Sequence, residues 1–412
     1  MSLLCGAPNV VLLSVDTLRA DYLSCYGYEH PSSPHLDALA QEGMVFEDAV
    51  CEVPLTGPSF GSMFTSRYPR TTGATRNGLP VPEEIPKVTT RFKEAGYQTF
   101  CVQSNWTLKR KLSGLDQDFD IYDDDFREKR WGFLKGERYA EDVTRLALEL
   151  LEKRDREKPF FAWVHYSDPH APYENHPKFN VTGKRVWRLD QTDRVRAKYA
   201  SEVAFTDHQI GRLLEALPED TFVLFVADHG ESLYEHDYLG HGRRIHQTGL
   251  HIPFIMRGPG IEPGRSTAPV RGIDVGPTLL GMAGLPPLEG ALGINLIADV
   301  VPETRDRVAE TYGGAVPDIP GVRDIMEDAG PMRQGALLGG WKLILGDTDP
   351  ELFYLPDDPG ELNNLYAEQP EKAQALEALI ETWSANHESV EGGAPELDQD
   401  DLDALKSLGY IE

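Results

Sequence analysis

Cysteine is scarce in this chain: Cys5, Cys25, Cys51 and Cys101 are its only four, and they show neither CxxC nor zinc-finger spacing. That excludes a disulfide framework or structural zinc site as the organising device and leaves reduced thiols. Also lacking is any uninterrupted apolar stretch of the roughly 20 residues that a membrane helix needs. No segment is therefore expected to span a bilayer. Basic charge is in deficit, with 40 Lys and Arg against 67 Asp and Glu and a formal net charge of −27. Such a surface repels polyanions before contact, which disfavours nucleic acid and anionic membranes as partners. An anionic substrate would have to be attracted locally, by a metal ion or by clustered cations. The N-terminus, "MSLLCGAPNVVLLSVD", lacks a basic region and a small-residue cleavage site. It predicts a cytoplasmic chain, with a removed export signal as the alternative.

What is present reads as an ordinary globular protein, 40% hydrophobic and 26% charged over 412 residues, long enough for one large domain or two. Two short apolar runs rich in β-branched residues, "NVVLLSVD" (9–16) and "TFVLFVADHG" (221–230), predict central parallel strands that end in acidic residues. "PFFAWVHYSD" predicts another strand, while "SPHLDALAQEG", "KVTTRFKEAG" and "AEDVTRLALELLEKR" carry helix-type apolar spacing. Alternating strands and helices predict an α/β fold with a doubly wound, mostly parallel sheet flanked by helices. After about residue 300 the pattern changes to short strands with turns ("GALLGGWKLIL", "ELFYLPDDPGELNNL") and one amphipathic helix, "PEKAQALEALIETWSANHES". The expected division is a catalytic domain over 1–300 and a smaller α+β subdomain over 301–412. Loops are expected at 124–136, 174–192 and 313–334, and weak order over 391–404.

In an open α/β sheet ligands bind beyond the carboxyl ends of the strands, so Asp16, Asp228 and His229 could converge on one site. Two carboxylates and an imidazole suit a divalent cation; a plain helix N-cap is the alternative for Asp16. Thr56, just ahead of Pro58 and a predicted helix over Ser59–Thr65, would sit at or near an N-cap, where free amides favour an anion. An ordinary capping threonine would look the same.

Seven segments, "NVVLLSVDTLRADYLSCYGY", "TGPSFGSMFTSRYPRTTG", "FFAWVHYSDPHAPY", "YASEVAFTDHQIGRLL", "VADHGESLYEHDYLGHG", "HIPFIMRGPG" and the "WKLIL" to "ELFYLPDDPGELNNL" tail, occur in an order that resembles the sulfatase family of the alkaline-phosphatase superfamily. The resemblance implies that Asp16, Asp228 and His229 are metal ligands, that Thr17 stands where many members have a second Asp or an amide ligand, and that Thr56 occupies the nucleophile position and also meets the metal. It places His170 and His241 at the substrate as catalytic groups, with Asn77 and Asn105 or Thr107 near the anion. The expected cofactor is one divalent ion (Mn, Mg, Ca or Zn). A second, held by Asp168, His170 and His241, is the variant reading, disfavoured because the D-x-x-x-H pair of two-zinc relatives is missing.

The sequence departs from sulfatases where the nucleophile is made. They use C-x-P-S-R or S-x-P-S-R, whose Cys or Ser becomes formylglycine; this chain reads T-G-P-S-F, with Thr56 first and Phe60 in place of Arg. Threonine cannot become formylglycine, so no such group is expected, and the resemblance moves toward threonine-using phosphatases, phosphodiesterases and phosphonate monoester hydrolases. The expected activity is metal-dependent hydrolysis of a small phosphate mono- or diester. The alternatives are sulfate ester hydrolysis without formylglycine, a soluble phosphotransferase or mutase, and an inactive binding homologue. Oligomeric state is left open.

Overall fold

The computed structural model describes residues 6–125, 137–313, 333–346 and 348–393. Ten strands precede the C-terminal part: β1 (Val10–Val15), β2 (Met44–Val50), β3 (Gln98–Val102), β4 (Ile121–Asp123), β5 (Phe160–Tyr166), β6 (Phe222–Ala227), β7 (Ser232–Leu233), β8 (Leu239–Gly240), β9 (Phe254–Arg257) and β10 (Gly264–Arg271). Eight of them form one sheet in the order β10-β2-β9-β6-β1-β5-β3-β4, while β7 and β8 pair as a separate ribbon. All neighbours in the large sheet run parallel except β9, which is antiparallel to both β2 and β6.

The strands predicted to be central are central. Every residue of β1 and β5 is buried, as continuous apolar runs must be when helices cover both faces of a sheet. The helices fall into two packed groups: Thr56–Thr65, Val88–Glu94 and Val275–Met282 in one, Pro34–Gln41, Ala140–Lys153 and Gln191–Ala216 in the other. Cys25, Cys51 and Cys101 are free thiols, and no described helix is long and apolar enough to cross a membrane.

Four further strands, β11 (Arg307–Thr311), β12 (Arg333–Leu338), β13 (Trp341–Leu345) and β14 (Glu351–Tyr354), make an antiparallel sheet in sequence order. The helix Pro370–Asn386 packs on it through Ala373, Leu376, Ile380 and Trp383, the spacing of one helix face. Polar ties lock this sheet to the larger one. Lys342 and Glu361, both fully buried, lie 2.6 Å apart, and the other Glu361 oxygen accepts the Gln247 backbone N–H at 2.6 Å. Thr311 donates its hydroxyl hydrogen to the carbonyl of Gly242. Of the expected loops, 174–192 contains two short 3₁₀ turns, Pro177–Phe179 and Val186–Arg188. Residues 126–136 and 314–332 of the other two, and the expected weakly ordered stretch from 394 onward, lie outside the described residues.

Candidate active site

The register of the sheet builds the site. Val15 of β1 pairs with Ala227 of β6, so the next residues, Asp16 and Asp228, leave adjacent strands at the same level, and His229 follows. Ligand atoms of these three lie within 4.8 Å of one another, all fully buried. Among the described residues no other group of three or more such side chains does so. Asp168, His170 and His241, the trio of the two-cation variant, are not gathered to that distance. Asp168 is buried two residues past β5, while His170 pairs with Glu137 at 2.9 Å.

Hydrogen bonding orients the trio and leaves one face bare. Asp228 Oδ1 accepts the N–H groups of Thr17 at 3.1 Å and His229 at 2.8 Å, while Asp228 Oδ2, Asp16 Oδ1 and Thr17 Oγ1 are buried with no partner. His229 Nδ1 lies 2.9 Å from the Gly230 carbonyl, which assigns the hydrogen to Nδ1 and points the Nε2 lone pair at Asp16 (3.8 Å) and Asp228 (3.4 Å). Burial, then the nearby His241, push the His229 pKa down to about 3, so the ring is neutral, as a metal ligand must be. Burial and the adjacent Asp16 push the Asp228 carboxyl well above the ordinary range. Burial acts against ionisation of Asp16 too, but the neighbouring His165 and the charge of His170 outweigh it and hold that carboxyl low. Two buried carboxylates with orphaned oxygens and a neutral imidazole fit a hard or borderline divalent cation.

Thr17 itself sits at φ +54°, an outlier for a β-branched residue. The conformation aims its N–H at Asp228 and its carbonyl at the Tyr199 hydroxyl, 2.7 Å away. Strain of this kind costs about 1–3 kcal/mol and persists where surrounding contacts enforce it.

Thr56 opens the helix Thr56–Thr65, capped by Leu55. It therefore sits one residue inside the helix, which starts three residues before the predicted Ser59. Pro58 is tolerated because first-turn nitrogens have no intrahelical acceptor. The Thr56 side chain is fully buried, its Oγ1 3.4 Å from His229 Nε2, at the bare face of the trio. Asn77 Oδ1 accepts the Gly57 N–H at 2.8 Å, holding this first turn, and its Nδ2 is buried without a partner.

Asn105 and Thr107, read from sequence as anion contacts, have other immediate partners. Asn105 Nδ2 donates to Asp16 Oδ2, and Asn105 Oδ1 accepts from the Thr107 N–H and hydroxyl, each at 2.8 Å. Asn105 thus orients the Asp16 carboxylate, and Thr107 holds Asn105. Arg19 is spent on Asp21 (2.7 Å) and Glu235 (3.0 Å). Cys51 is buried, and burial pushes its thiol up, which suits an inert core residue.

Phe60 explains what fills the place of the missing arginine. Its fully buried ring lies between Trp163 (4.8 Å) and His165 (4.9 Å), so the side chain anchors the helix in the core. Phe60→Ala should cost about 3–5 kcal/mol of stability, measurable as a lower urea midpoint.

His170 and His241 lie with ring centroids 5.2 Å apart and planes tilted by 58°, and the His241 ring lies 4.5 Å from that of His229. Burial would lower the His170 pKa, yet Glu137 overrides it and pushes the value up to about 10. His170 is thus an imidazolium at neutral pH. His241 Nδ1 lies 3.3 Å from Glu231 Oε1, and its Nε2 is buried without a partner. Glu137, Glu231 and His165 were missed from sequence. Glu231 lay in plain view in "ADHGE", whereas Glu137 adjoins a segment read only as a loop, and His165 sits mid-strand among apolar residues.

Comparison with known proteins gives the family. The chain is 29% identical to an ulvan-active sulfatase of Formosa agariphila, covering 76% of this chain and 70% of that protein, and 26% identical to a choline-sulfatase of Rhizobium meliloti, covering 89% and 83%. The solved phosphonate monoester hydrolase of Agrobacterium radiobacter shares the fold with a TM-score of 0.73 at 21% identity, covering 92% of this chain and 96% of that one. The family model described as Sulfatase matches residues 8–285, and with that span the chain belongs to the sulfatase family of the alkaline-phosphatase superfamily and is an ester hydrolase.

Proposed function

We propose that the chain hydrolyses small phosphate mono- or diesters, with Thr56 as nucleophile and one divalent cation held by Asp16, Asp228 and His229, with Thr17 beside them. The observation that carries this reading is the buried Thr56 hydroxyl at the bare face of the trio, in a segment that cannot become formylglycine. A cation bound there would favour the ionised hydroxyl and neutralise charge on the substrate's non-bridging oxygens. Thr56 Oγ1 attacks phosphorus in line, the new O–P bond forming as the bond to the leaving oxygen breaks. Water then cleaves the Thr56 ester and restores the hydroxyl.

The two substrate-side histidines divide the remaining work. His170, kept charged by Glu137, supplies fixed positive charge to the anion and holds its proton too tightly to be an effective acid at pH 7. His241, oriented by Glu231 with Nε2 turned free, is placed to protonate the leaving oxygen. His241→Ala should slow alkyl esters by roughly 10²-fold or more, the scale of general-acid catalysis, while p-nitrophenyl esters, whose leaving group needs little protonation, lose much less. Equal losses, measured as kcat/KM, would assign His241 to anion binding.

Sulfate esters are the second reading, favoured by the names of the two curated relatives. Turnover of p-nitrophenyl phosphate, bis-p-nitrophenyl phosphate and p-nitrophenyl sulfate with Mn, Mg, Ca and Zn separates the two. Higher kcat/KM on a phosphate ester is expected; higher kcat/KM on the sulfate would replace the reading. Transfer to an added alcohol would identify a phosphotransferase, and metal binding without turnover of any ester an inactive homologue.

A further inference from the structure

The loop after β8 carries two arginines that no ion pair neutralises among the described residues. Arg243 and Arg244 follow His241 by two and three residues, are half-buried, and have their Nε atoms buried with no hydrogen-bond partner. Among the described residues neither guanidinium forms an ion pair. This happens in a chain with 67 acidic side chains against 40 basic ones, where a carboxylate is the commonest charged neighbour on offer. Burying cations without an anion is unfavourable, so their retention in this state points to a partner from outside.

The loop is held in place around them. Tyr238 donates its hydroxyl hydrogen to the His241 carbonyl at 2.6 Å, Thr311 reaches the Gly242 carbonyl, and His246 Nε2 meets Glu351 Oε2 at 3.1 Å. The Arg244 guanidinium lies 5.5 Å from the Tyr238 ring centroid, so a single aromatic side chain separates it from the backbone of the histidine placed to protonate the leaving group. His246 Nδ1 and His241 Nε2 are also buried and unpartnered, with His246 2% and His241 6% exposed. Four side chains of the loop thus each keep one buried nitrogen without a hydrogen-bond partner. Burial, and then the charge of Arg333, press the Arg244 pKa below its ordinary value, and the more weakly acting charges of Glu351 and Asp237 do not restore it.

We propose that Arg243 and Arg244 form a subsite for an anionic substituent on the leaving group, so that the preferred ester releases an alcohol that itself carries a carboxylate, sulfate or phosphate. Guanidinium forks match the planar or tetrahedral oxygens of such groups. The proposal rests on the hydrolase reading above and specifies the substrate class.

The test pairs activity with binding. Two phosphodiesters differing only in the leaving group, phenol or 3-carboxyphenol, are compared in the wild type and in the Arg243→Gln/Arg244→Gln double variant, which keeps side-chain length and polarity. The wild type should prefer the carboxylated ester by roughly 10- to 100-fold in kcat/KM, the range of a charged hydrogen bond, and the ratio should fall toward one in the variant. Calorimetry with benzenesulfonate, benzene-1,3-disulfonate and 3-sulfobenzoate reads the subsite without turnover and distinguishes a sulfate-type from a carboxylate-type second anion. Tighter binding of either dianion to the wild type, lost in the variant, supports the subsite even if no ester is hydrolysed, in which case the hydrolase reading alone falls. Equal affinity of the wild type for mono- and dianions, or a preference unchanged in the variant, overturns it.

Discussion

Thr56→Ala should keep the fold and most of the metal affinity while lowering turnover by about 10⁴-fold or more, the scale on which removal of a covalent nucleophile acts. The side chain is small and accepts no structural hydrogen bond beyond the 3.4 Å approach to His229, so the helix that it opens should survive its loss. Its catalytic role is read by mass: acid-quench the wild type during turnover of a slow phosphodiester, digest it and weigh the peptide spanning 51–67. A phosphoryl adduct on Thr56 is expected. An unmodified peptide, together with near-wild-type turnover in Thr56→Ala, would instead assign the attack to water. Thr56→Cys should not acquire sulfatase activity, because Phe60 interrupts the C-x-P-S-R pattern and is itself committed to the core between Trp163 and His165.

Asp228→Asn should abolish tight divalent metal binding and with it activity by about 10³-fold or more, since a Lewis acid supplies several kcal/mol at about 1.4 kcal/mol per decade of rate. The substitution is mild for the fold. An asparagine Oδ1 can still accept the Thr17 and His229 N–H groups that Asp228 Oδ1 now accepts. In chelator the variant should even match or exceed the wild type in melting temperature, because it removes one of two adjacent buried carboxylates. The sign follows from linkage: Asp228 has a folded-state pKa raised by burial and Asp16, so its contribution to metal-free stability is present below the unfolded value of about 3.9 and is lost as pH rises through the folded one. Metal-free wild type should therefore lose stability on going to higher pH more steeply than the variant. Retention of full metal occupancy by Asp228→Asn, read by elemental analysis, would show the cation to be held elsewhere.

Much of this was legible in the residues because the strands that matter are the ones composition marks most strongly. β1, β5 and β6 lie inside the sheet and are therefore almost continuously apolar, and the first polar residues after β1 and β6, Asp16 and Asp228, fall at the ligand-binding edge by topology alone. The antiparallel course of β9 was not legible, since "FIMR" is a short apolar run whose composition says nothing of direction. Glu137 was hidden for a different reason. It reaches His170 across 33 residues of chain, and no local periodicity encodes a contact of that range. The sequence also placed Asn105 or Thr107 near the anion but could not show the bond from Asn105 to Asp16, because proximity in a motif does not say which way an amide points.

The buried Lys342–Glu361 pair has a consequence for any attempt to exchange parts between relatives. Glu361 accepts the backbone N–H of Gln247, and β11 and β14 hold Gly242 and His246, so the segment bearing His241, Arg243 and Arg244 is moulded by the C-terminal sheet. Truncation near residue 300, or grafting a foreign C-terminal half, would remove the template on which the loop bearing His241 sets. On the proposed reading, recognition and protonation of the leaving group would thus be inherited together with the C-terminal sheet, as one unit that recombination cannot separate cleanly.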